Sequence, residues 1–226
     1  MCLLCVTNKL PQTVYCERGN SQDLLAEPIN AFTNLAFPFF GYLAYKLLKE
    51  KNIKSKEVRA LPWMLSLVGL GSFIYHTARN SITLIFDVLP IYFFILYALF
   101  LTLNELFNSK AKSLFTLVGF VGVEIVLSVY VPREFLNGSI RHIVAVIFII
   151  LIGWIAIKRY GKEINQPLVG VIGLYAFAIF FRSIDAWICT WFSIGTHFLW
   201  HILAAFAGYQ AIYLHAVIKS TKPKSV

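Results

Sequence analysis

Three histidines carry the strongest chemical signal in this chain. His197 and His201 lie four residues apart, so on a helix both imidazoles project from one face. His76 lies at the end of a different apolar stretch. Three protein ligands with one open position are typical of a catalytic zinc site. We therefore predict that these three side chains bind zinc.

Two further polar side chains accompany the histidines. Ser72 precedes His76 by four residues, and Asp87 lies near the start of the next apolar stretch. No Glu lies between the paired histidines, so this is not the zincin motif and a general base must come from elsewhere. Asp87 is the carboxylate at the matching depth. Other interpretations stay open: Ser72 bonded to its own helix carbonyls, and Asp87 as a helix cap or a partner of Arg79.

The elements that position these residues belong in a membrane. Of 226 residues, 58% are hydrophobic and 14% charged, whereas a soluble domain is about half apolar and a quarter charged. A spanning helix needs roughly 20 mostly apolar residues. Such stretches occur at about 29–48, 61–77, 82–104, 113–131, 139–157, 167–185 and 195–218. The predicted fold class is all-α, an integral membrane protein with seven transmembrane helices.

The short links leave room for one domain only. We expect an N-terminal segment at 1–28, a seven-helix domain at 29–218 and a basic tail at 219–226. Residues 1–28 lack the apolar core of a cleaved signal peptide. Most of the 20 Lys and Arg residues fall on the side of the C-terminal tail, which predicts a cytoplasmic C-terminus and an outside N-terminus. The net charge of +9 follows from this asymmetry and does not indicate a nucleic-acid-binding face.

With this orientation, all five polar residues fall in the outer half of the bilayer. An ionisable residue within a span costs roughly 2.5–3.5 kcal/mol on insertion scales and usually has a function. A single histidine at a helix end is often only a polar anchor, but the grouping favours a metal site. His142 and His215 have no partner at helical spacing and are interpreted as structural.

Three short motifs contain the five residues. They are Gly71-Ser72-Phe73-Ile74-Tyr75-His76, Asp87-Val88-Leu89-Pro90 and His197-Phe198-Leu199-Trp200-His201. In order and in depth these motifs resemble the alkaline ceramidase family, which belongs to a superfamily of seven-helix hydrolases. The stretches Tyr15-Cys16-Glu17-Arg18 and Ala26-Glu27-Pro28-Ile29-Asn30-Ala31-Phe32-Thr33-Asn34 look like its bacterial branch.

The resemblance implies zinc-dependent hydrolysis of the amide bond of ceramide-like N-acyl lipids, which releases a fatty acid and a sphingoid base. It implies zinc on His76, His197 and His201. Asp87 would be the base, and Ser72 would donate to the developing oxyanion or orient the water. The 29–218 domain would then be a hydrolase domain.

The expected partner is a membrane lipid, with no nucleic acid and no protein partner. The expected location is the bacterial inner membrane, with the active site in the outer-leaflet half. The alternative function is a seven-helix lipid receptor or sensor with a structural zinc site. The short cytoplasmic links favour the enzyme.

The resemblance also implies a calcium site in the N-terminal segment. Glu17, Asn20 and Glu27 are the matching residues, since calcium prefers hard oxygen ligands. Val14 stands where the family has an acidic residue. The other interpretation is a solvated acidic segment.

The four cysteines fall into two sets. Cys2 and Cys5 form a C-x2-C with no second pair, which is a weak zinc signal. Cys16 and Cys189 are both expected outside, where thiols can oxidise. The resemblance suggests that these two form a disulfide, and two buried thiols are the alternative.

Two charged pairs remain. Arg182 and Asp185 lie three residues apart near the outer end of the sixth stretch. They either neutralise each other or face the metal cavity, where Arg182 would contact the substrate and receive a fatty-acid carboxylate. Glu124 is expected to pair with Arg141.

Overall fold

The computed structural model describes residues 15–132 and 135–223. Within them the chain is all-α, with a short 3-10 turn before each of the helices α6 and α7. The helices are α1 Pro28–Thr33, α2 Ala36–Glu50, α3 Lys56–Thr77, α4 Ser81–Phe107, α5 Lys110–Tyr130, α6 Ile140–Tyr160, α7 Asn165–Ile188 and α8 His197–Ser220. The predictions for Cys2, Cys5 and Val14 lie outside the described residues.

Six of the predicted spans correspond to helices that are long and apolar enough to cross a membrane, α3 to α8. The chain is therefore a multi-pass membrane protein. The first predicted span, at about 29–48, is divided into two helices. α1 ends at Thr33, and α2 begins at Ala36 and has 15 residues. The crossing by this part of the chain stays a prediction.

Capping residues in the short links set the helix ends. Ser55 and Ser109 accept hydrogen bonds from backbone N–H groups in the first turns of α3 and α5. Asn80 and Thr83 form a capping box at the start of α4. Asn108 ends α4 in the left-handed conformation, with φ of 46°. These tight connections bring consecutive helices together as neighbours.

α3 and α4 touch backbone to backbone near the predicted site. A Cβ added at Gly71 would lie only 1.9 Å from the carbonyl oxygen of Phe86. Only glycine permits this approach. Because Ser72 follows Gly71 and Asp87 follows Phe86, the contact brings the backbones of Ser72 and Asp87 close together.

Two apolar clusters surround α8. One joins it to α4, α5, α6 and α7, and the other joins it to α2, α3 and α4. A Cβ added at Gly208 would lie 2.5 Å from Cδ1 of Leu65, so α8 also packs closely on α3. The helix that carries His197 and His201 is thus held beside the helix that carries His76.

Candidate metal centre

His76, His197 and His201 meet at one end of the bundle. His76 lies in the last turn of α3, and the other two lie in the first two turns of α8. One nitrogen from each ring lies within 4.8 Å of the other two. The three residues are 0%, 1% and 1% exposed. Within the part of the chain that the structure describes, no other cluster of three or more His, Cys, Asp or Glu has this geometry.

Each ring has one buried nitrogen without a hydrogen-bond partner among the described residues. These atoms are Nε2 of His76, Nδ1 of His197 and Nε2 of His201. A buried polar atom left unsatisfied costs roughly 1–3 kcal/mol. A divalent metal would accept all three lone pairs, and three imidazoles with an open position suit zinc. The residues present therefore fit a metal ion.

Glu27 fixes the ring of His76. Nδ1 of His76 lies 2.5 Å from Oε2 of Glu27, so Nδ1 carries the proton and Nε2 is left as the metal ligand. Glu27 is fully buried and also bonds the guanidiniums of Arg18 and Arg79. Burial alone would raise the pKa of the Glu27 carboxyl. The hydrogen bonds from His76 and Arg18 and the positive charge of Arg79 outweigh burial and hold that pKa at about 2.

Thr33 fixes the ring of His201 in the same way. Its Oγ1 lies 3.0 Å from Nδ1 of His201. The hydroxyl also lies 2.8 Å from the carbonyl oxygen of Ile29, one turn earlier in α1, and donates its single proton there. It must therefore accept a hydrogen bond from Nδ1–H of His201, which leaves Nε2 free to bind a metal.

Tyr15 covers the third ring. The rings of Tyr15 and His197 are stacked, with centroids 3.9 Å apart and an angle of 26°. The Arg79 guanidinium lies 4.9 Å from the centroid of the Tyr15 ring. Burial raises the pKa of the Tyr15 phenol, so this group stays neutral. The segment from Tyr15 to Glu27 thus lies over the histidines.

A disulfide joins this N-terminal segment to the bundle, between Cys16 and Cys189. Beside it, the buried Asp185 accepts hydrogen bonds from the backbone N–H groups of Cys16, Thr196 and His197, at 3.2, 2.6 and 2.9 Å. The side chain of Thr196 does not cap α8. Asp185 therefore caps α8 from the neighbouring helix and sets the position of His197.

A cavity opens beside the histidines and encloses about 500 Å³, counted with its mouth. Ser72 and Asp87 line it together with His197 and His201. Neither Ser72 nor Asp87 makes a hydrogen bond or ion pair with another described residue. The alternatives left open for them do not occur, because Asn80 caps α4 and Arg79 binds Glu27. Both side chains are free to meet a ligand.

The structure does not support the expected calcium site. The guanidinium of Arg18 bonds Oε1 of Glu27, and the Arg18 side chain is 7% exposed. It also donates to the backbone carbonyls of Ser21, Asp23 and His76, at 3.4, 3.1 and 3.3 Å. A carboxylate and carbonyl oxygens are the ligands that calcium prefers. Beside Glu27 these oxygens already surround the Arg18 guanidinium, which takes the place that calcium would need.

The other two residues expected to bind calcium lie in different surroundings. Glu17 accepts hydrogen bonds from the backbone N–H groups of Ile29 and Asn30, at 2.6 and 2.8 Å. It therefore stabilises the start of α1, as acidic groups do at helix N-termini. Asn20 is exposed.

Two ion pairs that the sequence suggested do not form among the described residues. Arg182 and Asp185 form no ion pair, because Asp185 is turned to the backbone at the start of α8. Arg182 instead lines the cavity, with its guanidinium 5.3 Å from the Trp200 ring centroid. Glu124 and Arg141 also form no pair, and Arg141 lines the same cavity. Substrate contact by Arg182 stays a prediction.

Sequence reasoning missed Thr33, Tyr15 and Asp185 as residues that support the histidines. Thr33 carried a usable signal, since it is a polar residue at the outer end of a predicted span. Tyr15 carried none, because it lies in an irregular segment with no helical spacing. The i, i+3 spacing of Asp185 and Arg182 suggested an ion pair between them, whereas Asp185 binds backbone N–H groups at the start of α8.

Comparisons with known proteins point to one family. A sequence model of a family described as Ceramidase matches residues 12–225. The chain is also 27% identical over 219 residues to an alkaline ceramidase of Caenorhabditis briggsae. That alignment covers 90% of this chain and 80% of the nematode protein. The match to the family model includes all the histidines of the centre.

Proposed function

Because this chain belongs to the ceramidase family, we propose that it hydrolyses the linear amide bond of ceramide-like N-acyl lipids with a bound zinc ion. The products would be a fatty acid and a sphingoid base or a similar amine. One observation carries the proposal. Three buried imidazole nitrogens without hydrogen-bond partners cluster together, and two of these residues, His197 and His201, line a cavity with Asp87 and Ser72.

His76, His197 and His201 would hold the metal. Bound zinc supplies Lewis acidity, which polarises the amide carbonyl and lowers the pKa of water. Glu27 and Thr33 keep the ligand nitrogens of two rings unprotonated and oriented. Tyr15 stacks on the third ring and limits access of water from that side.

Asp87 is the proposed general base. It is the one carboxylate among the residues that line the cavity, and no described donor competes for its oxygens. Asp87 would take a proton from the attacking water and deliver it to the leaving nitrogen, so that a neutral amine departs.

Ser72 is the proposed donor to the developing oxyanion. Its side chain lines the cavity and the residue is 3% exposed. A fixed donor in a site of low dielectric stabilises developing negative charge strongly. A role in orienting the attacking water is the alternative for this hydroxyl.

The lipid chains would lie deeper in the bundle. Ile91 and Trp200 line both the polar cavity and an apolar cavity of about 620 Å³, counted with its open mouth. Apolar side chains from α2, α3, α4, α6, α7 and α8 form the walls of this second cavity. An acyl chain could enter it while the amide stays beside the histidines.

We also propose that all seven predicted spans cross the membrane, with the N-terminus outside and the site in the outer-leaflet half of a bacterial inner membrane. The disulfide of Cys16 and Cys189 supports this orientation, because it lies at the same end of the bundle as the histidines. Disulfides persist on the oxidising side of a membrane.

Two measurements test the proposed function. Purified protein is incubated with a panel of N-acyl lipids, and released fatty acid is measured by mass spectrometry. Elemental analysis should find one zinc per chain, and a His197→Ala, His201→Ala double variant should lose it. Lipid binding without any fatty-acid release would favour the receptor alternative. Zinc at the wild-type level in the double variant would exclude this centre.

A further inference from the structure

The cavity beside the histidines carries an excess of positive charge. Its lining includes two guanidiniums, those of Arg141 and Arg182, and a single carboxylate, that of Asp87. Neutral histidine ligands would not compensate the charge of a zinc ion either. The head of an uncharged ceramide offers no counter-charge to this excess.

Neither guanidinium has a carboxylate partner in the described part of the chain. The ion pairs there involve the other cations Arg18, Arg79 and Lys219. Nε of Arg182 is buried and lacks a hydrogen-bond partner among the described residues. Arg141 lies 5.7 Å from the ring centroid of Tyr92, as Arg182 lies over Trp200. Both rings line the cavity, so they hold the two cations at its wall.

The start of α6 adds to the positive potential at this wall. Gly138, Arg141 and His142 all line the cavity. The preceding Ser139 makes no capping hydrogen bond, and its hydroxyl is buried without a partner among the described residues. Helix N-termini carry partial positive charge, so a cation in the first turn is unfavourable by itself. An anion at this position would compensate the partial positive charge of the α6 N-terminus and the charges of both guanidiniums.

A purely structural role explains these arginines less well. Arginines near a membrane surface usually extend towards lipid head groups. Arg141 and Arg182 line the cavity beside the histidines instead: Arg182 is half-buried, and Arg141 is an exposed residue at the cavity's open side. Glu124 and Asp185, the acids expected to neutralise them, form no ion pair with either.

We propose that Arg141 and Arg182 form a subsite for an anionic group, a carboxylate or a phosphate, on the head of the N-acyl lipid substrate. This inference rests on the proposed hydrolase function and narrows its substrate class. The preferred substrate is an acylated amine lipid with a negatively charged head. Charge-assisted hydrogen bonds to the guanidiniums fix the head and hold the amide beside the histidines.

The first test compares two lipids that differ only in the charge of the head. Wild-type protein in phosphatidylcholine vesicles receives either ceramide or ceramide 1-phosphate with identical chains. Released fatty acid gives kcat/KM for each lipid. We expect kcat/KM to be about tenfold or more higher for the phosphate ester, as one charge-assisted hydrogen bond typically gives.

Variants assign that preference to the arginines. In an Arg141→Gln, Arg182→Gln double variant the ratio of the two kcat/KM values should fall to about one. The ratio is taken within each variant, so a general loss of turnover cancels. The conservative Arg141→Lys and Arg182→Lys variants should keep part of the preference. The control is Arg159→Gln, which removes a basic residue from the last turn of α6, the helix that also carries Arg141. This variant should keep the full preference for ceramide 1-phosphate.

A binding measurement separates this inference from the proposed function. Thermal unfolding of the Asp87→Asn protein is recorded with ceramide, ceramide 1-phosphate or free fatty acid. A stabilising shift with ceramide 1-phosphate that disappears in the arginine double variant supports the subsite, even if no lipid is hydrolysed. An arginine-dependent shift without any hydrolysis would reject the hydrolase proposal and leave the subsite standing.

Three results would overturn the subsite and leave the hydrolase proposal intact. The first is equal kcat/KM for the two lipids in the wild-type protein, and the second is a wild-type preference that survives in the double variant. The third is an arginine-dependent shift with free fatty acid but none with ceramide 1-phosphate. That outcome would assign the arginines to the carboxylate of the product.

Discussion

Nδ1 of His76 lies 2.5 Å from Oε2 of Glu27, a residue 49 positions earlier in the chain. One ring of the proposed metal centre is therefore oriented by the N-terminal segment and not by its own helix. The same carboxylate binds Arg18 and Arg79. Glu27 thus couples the metal ligands to the segment that covers them.

We predict that Glu27→Gln lowers zinc affinity about 10–100-fold, since residues that orient a metal ligand typically contribute this much. The amide cannot replace the anionic acceptor of Nδ1–H. Zinc retention is measured by elemental analysis after dialysis against a graded chelator. Asp23→Asn, an exposed acid in the same segment, is the control and should behave as wild type. Unchanged zinc affinity in Glu27→Gln would show that the hydrogen bond does not tune the metal.

We predict that Asp87→Asn keeps zinc but lowers turnover about 10²–10⁴-fold, the usual contribution of a general base. The side chain is not within the histidine cluster, so metal content should not change. Turnover is measured as fatty acid released from an N-acyl lipid. Hydrolysis at the wild-type rate would mean that another residue takes the proton.

We predict that Gly71→Ala strongly reduces activity. The new methyl group would lie 1.9 Å from the carbonyl oxygen of Phe86 and would force α3 and α4 apart next to Ser72 and Asp87. Overpacking of this kind costs about 1–3 kcal/mol of stability. Gly119→Ala in α5 is a matched control, because nothing lies within 4 Å of its added Cβ. Equal activity in the two variants would contradict the proposed importance of this contact.

We predict that the purified protein contains well under one calcium per chain, and that added calcium leaves its melting temperature unchanged. The oxygen atoms around Glu27 are already occupied by the Arg18 guanidinium. Elemental analysis and thermal unfolding with and without calcium check this. Stoichiometric calcium in the wild-type protein would disprove the assignment of Arg18 as the resident cation.

We predict that non-reducing peptide mapping recovers Cys16 and Cys189 in one linked peptide. The bond closes a loop of 173 residues, and the chain-entropy model gives such a loop at most about 5 kcal/mol. Reduction should therefore lower the melting temperature and loosen the cover over His197. Complete alkylation of both thiols without a reductant would argue against the bond and against an outside location of this end.

The histidine cluster and six spans were predictable because both depend on local patterns. Hydropathy over about 20 residues marks a span, and the i, i+4 spacing of His197 and His201 marks one helical face. The order of the spans then places His76 at the same end. Spacing and depth also singled out Ser72 and Asp87, and the structure places both in one cavity with the paired histidines.

The surroundings of the histidines were not predictable in the same way. Glu27, Arg18 and Tyr15 lie in an irregular segment, where no periodicity links a residue to its neighbour in space. The ring of oxygens around Arg18 depends on the path of the backbone, since three of its acceptors are carbonyl groups. Side-chain types alone therefore suggested a calcium site at the position where the structure has the Arg18 guanidinium.

The proposed metal centre brings together residues that lie far apart in the chain. Its covering ring, Tyr15, is among the first described residues, and His201 lies in the last helix. During synthesis, α3 would enter the membrane with His76 long before its two partners emerge from the ribosome. Metal binding at the proposed centre would therefore be a late event in biogenesis, because a chain that stops before α8 lacks two of the three ligands. If the proposed hydrolase function holds, such unfinished chains would be catalytically silent, and partly assembled protein would not hydrolyse the lipids around it.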